Sequence, residues 1–238
     1  MKTYSFTTLT VGDEYLKTSL ESYTAMAPKC SAKFNITTNS PIESIDRINI
    51  DKFSLPSYDD GRGGFSFHLN LKVLSLKKLV GSDLDYIVYM DGDWMPYTGF
   101  SEERMQNLFG YMENNELDFL FERPSTIGDH KKNLSNCFFQ DKLRDYNVMD
   151  HTKWDSAHVV NEQFMVFKNN WKFRYFVQRW EMFLWYSIHN NIRNYPDGFE
   201  IGISALEAEM KYDFHGYKHY IRECFQFYTK SRDLHIKF

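Results

Sequence analysis

Apolar and polar positions change period several times along this chain, and the changes mark out an alternating α/β order. Tyr4–Thr10 reads as a first strand. Val11-Gly12-Asp13 turns it into an amphipathic helix that runs through about Met26, and Lys33–Thr38 is a second strand. A β-loop-α-β opening is the usual start of an α/β fold whose ligands lie at the carboxyl ends of the strands, so the loop Thr10–Asp13 is a candidate nucleotide site. Residues 39–64 read as mostly irregular, and the run Gly61-Arg62-Gly63-Gly64 at their end suits either a flap or a plain turn. Phe67, Leu71, Leu74 and Lys78, with Leu69, Val73, Leu76 and Leu79, then follow a helical period. That helix places Lys72 near the end of the strand that follows it. Glu102–Asn114 predicts a further helix, Asp118–Glu122 and Gln163–Lys168 predict strands, and Trp171–His189 predicts a long aromatic helix. No repeat, low-complexity tract or linker rich in Pro, Gly or Ser divides the 238 residues, so a single α/β domain is expected.

The run Tyr86-Ile87-Val88-Tyr89-Met90-Asp91-Gly92-Asp93 delivers two carboxylates where an apolar strand should end. Side chains at i and i+2 of a strand project to one face, which lets Asp91 and Asp93 reach one cation. Mg²⁺ and Mn²⁺ favour one or two carboxylates together with the oxygens of a diphosphate, so the pair is a candidate metal-diphosphate anchor. A solvated Asp-Gly-Asp turn is the other reading, because Asp and Gly are common turn residues.

Composition removes several classes. A formal net charge of -4 gives no global case for nucleic acid or an anionic membrane, although a local basic patch stays open. Cys30, Cys137 and Cys224 are far apart and contain no CxxC pair, so neither a disulfide framework nor a zinc site is expected; they read as reduced, mostly buried thiols. The first residues run straight into a strand without an apolar signal core, and no apolar run approaches membrane-spanning length, so a cytoplasmic protein is expected. Asn35-Ile36-Thr37 and Asn133-Leu134-Ser135 match the glycosylation pattern but carry no weight without a secretory signal. Aromatic residues make up 18% of the chain, enough to fill a core and to line a sugar or base platform as well.

With the Asp-x-Asp after an apolar strand, the Lys-bearing helix before it and the βαβ start, the sequence resembles the nucleotide-sugar transferases of the GT-A fold. Val160-Asn161-Glu162-Gln163-Phe164-Met165-Val166-Phe167 looks like the strand that the glycogenin and lipopolysaccharide galactosyltransferase group opens on Asn-(Ser/Ala)-Gly. Glu162 and Gln163 stand where that group has small residues. Phe214-His215-Gly216-Tyr217-Lys218 is similar to a compressed His-x-x-Gly-x-x-Lys element, and Asp197-Gly198-Phe199-Glu200 resembles the acidic segment that opens a helix beside the sugar. The resemblance implies an α/β, Rossmann-like fold with a mixed, mainly parallel sheet flanked by helices. It implies a nucleotide half to about residue 125 and a sugar and acceptor half from about 126 to 238. By the same resemblance, Asp91, Asp93 and His215 are the metal ligands, Lys218 and Lys72 meet the diphosphate, and Asn161 and Gln163 line the donor sugar. Val11 and Tyr15, beside the first loop, are candidates for the nucleotide wall or for the core.

The implied chemistry is transfer of a sugar from a nucleoside diphosphate to a hydroxyl acceptor, with a divalent cation easing departure of the phosphate. An oxocarbenium-like centre also calls for a nearby carboxylate, for which Glu200 is the first choice, with Asp197 and Glu207 behind it. Glu200, Ser204 and Glu207 share one helix face at i, i+4 and i+7, which is equally the pattern of a solvated face. The acceptor is a glycan, a lipid-linked sugar or another hydroxyl. The basic and aromatic residues of Lys168–Trp180 suit a helix packed on the core, or a polyanion surface such as a hydroxymethylated base in viral DNA. Two other classes stand beside the transferase: a haloacid-dehalogenase-like phosphatase, which also carries Asp-x-Asp after a strand but near the N-terminus, and a non-catalytic module that binds sugar nucleotide or glycan.

Overall fold

The computed structural model describes residues 1–54, 71–122, 125–128, 151–189 and 197–227. The Gly61–Gly64 run, Phe67, Leu69, Asn133-Leu134-Ser135 and Cys137 lie outside the described residues. Seven strands form one sheet: β1 (Tyr4–Thr10), β2 (Lys33–Thr38), β3 (Ile48–Lys52), β4 (Tyr86–Met90), β6 (Phe119–Glu122), β7 (Asn161–Lys168) and β8 (Tyr212–Asp213), in the order β3-β2-β1-β4-β7-β6-β8. Every neighbouring pair is parallel except those made by β7, which runs against both β4 and β6. β5 (Trp94–Pro96) and β9 (Phe225–Phe227) make a separate antiparallel ladder. The result is the mixed, mainly parallel sheet flanked by helices that the resemblance to GT-A enzymes implies.

Helices cover both faces. α1 (Asp13–Met26), α3 (Glu102–Asn114) and α6 (His215–Tyr220) enclose a core that includes Phe6, Phe34, Tyr86, Val88 and Phe164. α2 (Lys72–Lys77), α4 (Trp171–His189) and α5 (Asp197–Glu207) enclose the opposite face, with Ile87, Tyr89, Met165, Phe167, Phe173 and Trp180. Burial on two sides explains why β1 and β4 are buried at every position rather than at alternate ones. Ser101 caps α3 by accepting from the Arg104 N–H, and Glu102 and Glu103 lie in its first turn, where carboxylates complement the helix dipole. Cys30 and Cys224 are buried free thiols, as expected.

Within the region read as irregular, β3 forms a strand in parallel register with β2, Ile36 opposite Ile50. It is an edge strand with one covered face, so its Ile-Asn-Ile-Asp-Lys alternation is short and half polar, which hid it. The described part of the Lys72 helix is one and a half turns long, and the two-residue strand β8 and short helix α6 are too brief to carry a periodic signal.

Candidate active site

Three chain reversals meet at the carboxyl edge of the parallel strands. β1 ends in buried Thr10, and Gly12, at φ 85°, turns the chain into α1 through the left-handed region that favours glycine. The Gly12 N–H donates to Asn39 Oδ1 at 3.1 Å, and Ser40 Oγ donates to Asp13 Oδ1 at 2.7 Å, so the loop after β1 is tied to the loop after β2. Val11 and Tyr15 are half-buried here. Burial first, then the charges of Asp93 and Asp91, raise the Tyr15 hydroxyl, which puts Tyr15 beside the second reversal.

That second reversal is Asp91-Gly92-Asp93, between β4 and β5. The Trp94 N–H closes the turn on the Asp91 carbonyl at 3.1 Å, and the Gly92 carbonyl accepts from Ser19 Oγ of α1 at 3.4 Å. A Cβ on Gly92 would come to 2.6 Å from Ser19 Oγ and 3.1 Å from Thr10 Cγ2, so only glycine lets the turn lie this close to α1 and β1. Asp93 is buried. Asp91 accepts from the Tyr89 hydroxyl at 2.8 Å and pairs with the buried ammonium of Lys72, at 3.0 and 3.1 Å from its two oxygens. Lys72 also reaches Glu162 at 3.9 Å and lies 5.7 Å from the centre of the Tyr89 ring. Burial pushes the Asp91 carboxyl up to about 6, with the like charges of Asp93 and Glu162 adding to the rise and Lys72 and Tyr89 opposing it. Negative charge is thus gathered in excess around one ammonium.

The third reversal leads into β7. Because β7 runs against β4, its first residues reach this edge: the Asp91 N–H donates to the Gln163 carbonyl at 2.8 Å. Asn161 donates its side-chain amide to Glu122 at 3.1 Å and accepts from the Gln163 N–H at 3.3 Å, while Arg222 pairs with Glu122. Asn161, Glu162 and Gln163 are all half-buried. The Val160 N–H donates to the Gly198 carbonyl at 3.1 Å, which sets Asp197, the first residue of α5, next to the start of β7. Asp91, Asp93, Lys72, Tyr15, Asn161 and Gln163 therefore converge.

Two predicted residues have settings of another kind. Glu200 is fully buried, and neither of its carboxyl oxygens has a hydrogen-bond partner among the described residues. Burial pushes its carboxyl well above the usual range, opposed by the neighbouring Trp180 indole N–H. Glu200 and Ser204 do share a face with Glu207, but that face turns inward: Ser204 is also fully buried and Glu207 pairs with Arg179 of α4. The cause is glycine. Gly198 and Gly202 seat α5 flush on the backbone of residues 158–160, where a Cβ at either position would collide with a carbonyl oxygen. Glu200 thus lies on the inward face of α5 and is not a solvated carboxylate.

His215 is exposed at the start of α6, where its N–H donates to Asp213 at 3.0 Å. Burial first, with the charges of Glu122 and Asp91 adding, raises the hydroxyl of Tyr217 on the same helix, which sets α6 on the Asp91 side of the sheet. Lys218 is exposed on the same short helix. Among the described residues no group of three His, Cys, Asp or Glu side chains is placed to hold an ion. The site that remains has two hard oxygen donors, Asp91 and Asp93, and fits a cation that completes its shell with substrate oxygens. Sequence reasoning singled out Glu162 as a departure from a family pattern; its contact with Lys72 depends on the β4–β7 pairing, which no local signal reveals.

No family model matches the sequence, and no curated protein matches it. Among solved structures, the fold is similar to mouse xyloside xylosyltransferase 1 in its apo form, at 10% identity over 91% of each chain with a TM-score of 0.46. It is also similar to the galactosyltransferase LgtC in complex with donor and acceptor sugar analogues, at 10% identity over 87% of this chain and 72% of that one, with a TM-score of 0.47.

Proposed function

We propose that this chain is a metal-dependent glycosyltransferase that moves a sugar from a nucleoside diphosphate sugar to a hydroxyl of a glycan or lipid-linked sugar. The observation that carries the reading is the Asp91-Gly92-Asp93 turn at the carboxyl end of β4, with Lys72 seated on Asp91 and the start of β7 alongside. Asp91 and Asp93 would hold Mn²⁺ or Mg²⁺. A bound cation of this kind supplies charge stabilisation to the departing diphosphate. Lys72 adds a fixed positive charge on the same side, in a buried setting where a charge acts more strongly than in water. Tyr15 and Val11 offer a wall for the nucleotide beside Gly12. Asn161 and Gln163 orient the sugar through their amides, and Asp197 is the carboxylate for the reacting centre in place of Glu200.

Calorimetric titration of a panel of nucleoside diphosphate sugars, with Mn²⁺ and with a chelator, tests the reading. One donor binds only with metal, and Asp91→Asn and Asp93→Asn each weaken that binding by about a hundredfold or more, equivalent to about 2.7 kcal/mol. Binding that ignores both substitutions, or turnover of simple phosphate esters without any donor binding, overturns it, the latter in favour of a phosphatase.

A further inference from the structure

Glu162 stands at the start of β7 between two residues that are each held in place. Asn161 donates its amide to Glu122, and the Gln163 carbonyl accepts from the Asp91 N–H. The β6–β7 register is irregular here, passing from Phe121 opposite Met165 directly to Glu122 opposite Asn161, so residues 162–164 of β7 bulge relative to β6. Strict alternation from Phe164, which packs in the core under α1, α3 and α6, would turn Glu162 to that side of the sheet. A bulge re-aims a side chain. The Glu162 carboxylate instead comes to 3.9 Å from the ammonium of Lys72, on α2 at the other side. Lys72 is the one cation that pairs with Glu162 among the described residues.

The ammonium is therefore set between two carboxylates at unequal distances. It lies 3.0 and 3.1 Å from the two oxygens of Asp91, and the Tyr89 hydroxyl holds that carboxylate from a further direction at 2.8 Å. Asp91 so engaged is poorly placed to give an oxygen to a divalent cation, because the ammonium repels a second positive charge on the same group. At 3.9 Å, Glu162 is within ion-pair reach of Lys72 but beyond a hydrogen bond. A charge-assisted hydrogen bond forms at about 2.8 Å, so a shift of the ammonium by about 1 Å exchanges one carboxylate for the other. Lys suits the move, since its three donors swing on a flexible stem. Glu162 also sets the charge of the edge: the carboxylates of Asp91, Asp93 and Glu162 exceed the one ammonium by the two charges that a single divalent cation balances.

We propose that Glu162 is a positioning residue that takes Lys72 over from Asp91 when the Asp91-Gly92-Asp93 turn receives a divalent cation. The exchange frees an Asp91 oxygen and keeps the ammonium at the same edge, where it can face the phosphates of a donor. This inference rests on the metal-dependent reading of the turn and adds to it the residue that lets Lys72 and a cation use one carboxylate.

Electron paramagnetic resonance of Mn²⁺ titrated into the full chain, without and with nucleotide sugar, tests it by reading cation affinity rather than turnover. The variants are Glu162→Gln and Glu162→Asp, with Glu162→Gln also made in a Lys72→Met background. Without nucleotide sugar, each Glu162 variant should bind Mn²⁺ about tenfold more weakly than the parent, as expected for residues coupled through a shared partner. The aspartate keeps the charge but withdraws it by one methylene, so its loss separates reach from charge. In the Lys72→Met background Glu162→Gln should change affinity by less than about threefold, since no ammonium then needs moving. Glu162→Asp binding like the parent, or a Glu162→Gln loss of equal size with and without Lys72, overturns the inference and leaves the proposed function intact. Mn²⁺ that binds only together with a donor does the same. Absence of Mn²⁺ binding under both conditions removes the metal-dependent reading and this inference with it. Should Lys72→Met fail to fold, as thermal melting would show, Glu162→Asp decides alone.

Discussion

Glu200 is the residue at which burial and chemistry conflict most directly. A carboxyl raised above its unfolded value of about 4.3 binds more protons in the folded state, so its contribution to stability declines as pH rises from there toward the folded value. Each pH unit within that window costs about 1.36 kcal/mol. Glu200→Gln removes the titration while keeping the shape, so it should be more stable than the parent near neutral pH and lose that advantage near pH 4. Denaturant unfolding of both proteins at the two pH values checks this, and donor turnover in the variant should stay within a few-fold; a loss of about a hundredfold would restore Glu200 to catalysis. The contrast with Asp91 shows what a sequence can disclose. Asp91, Asp93 and Lys72 were readable because an apolar strand and an amphipathic helix each fix where their side chains end. The inward setting of Glu200 was not readable, because helical spacing gives a face but not its direction, and Gly198 and Gly202, which set that direction, act only through a distant backbone. The setting of His215 was not readable for a similar reason: a local motif does not report which strand of a sheet it follows.

Among the elements, α5 is the most tightly fitted. Gly202→Ala should destabilise the fold by about 2–3 kcal/mol, because the added methyl must push the helix off the His158 carbonyl. Gly110 of α3, on the other face of the sheet and with open space around it, is the control: alanine there should be neutral or stabilising in the same unfolding measurement. Long elements with an uninterrupted period, α1, α3 and α4, were legible to their ends, as were β1 and β2, whose apolar runs are bounded by turn residues. β3, β5, β8 and β9 were not, since a strand of two to five residues at an edge or in a side ladder is held by its neighbour rather than by its own pattern. Asp118 illustrates such tertiary holding: it accepts from Asn170, Lys172 and the Lys211 N–H at 2.8, 2.9 and 2.9 Å, and so joins the starts of β6, α4 and β8.

For the molecule as a whole, one sheet carries strands from both halves of the chain. The direction of β7 has a further consequence, in the order in which the chain emerges during synthesis. Strands β1 to β4 can pair as they leave the ribosome, each beside an earlier one, and the Asp91 turn is among the first features completed. The carbonyl that fixes its backbone belongs to Gln163, which is made only after α3 and β6. Until then the turn has no partner on that side, and Lys72 has no Glu162. A fragment of residues 1–125 should accordingly fail to bind metal and donor together under conditions where the full chain does, and adding residues 126–238 as a separate piece should restore binding. Calorimetry on the fragment, alone and mixed, decides it. On the proposed function, this order keeps the nascent protein from engaging a sugar nucleotide before the residues that would use it exist.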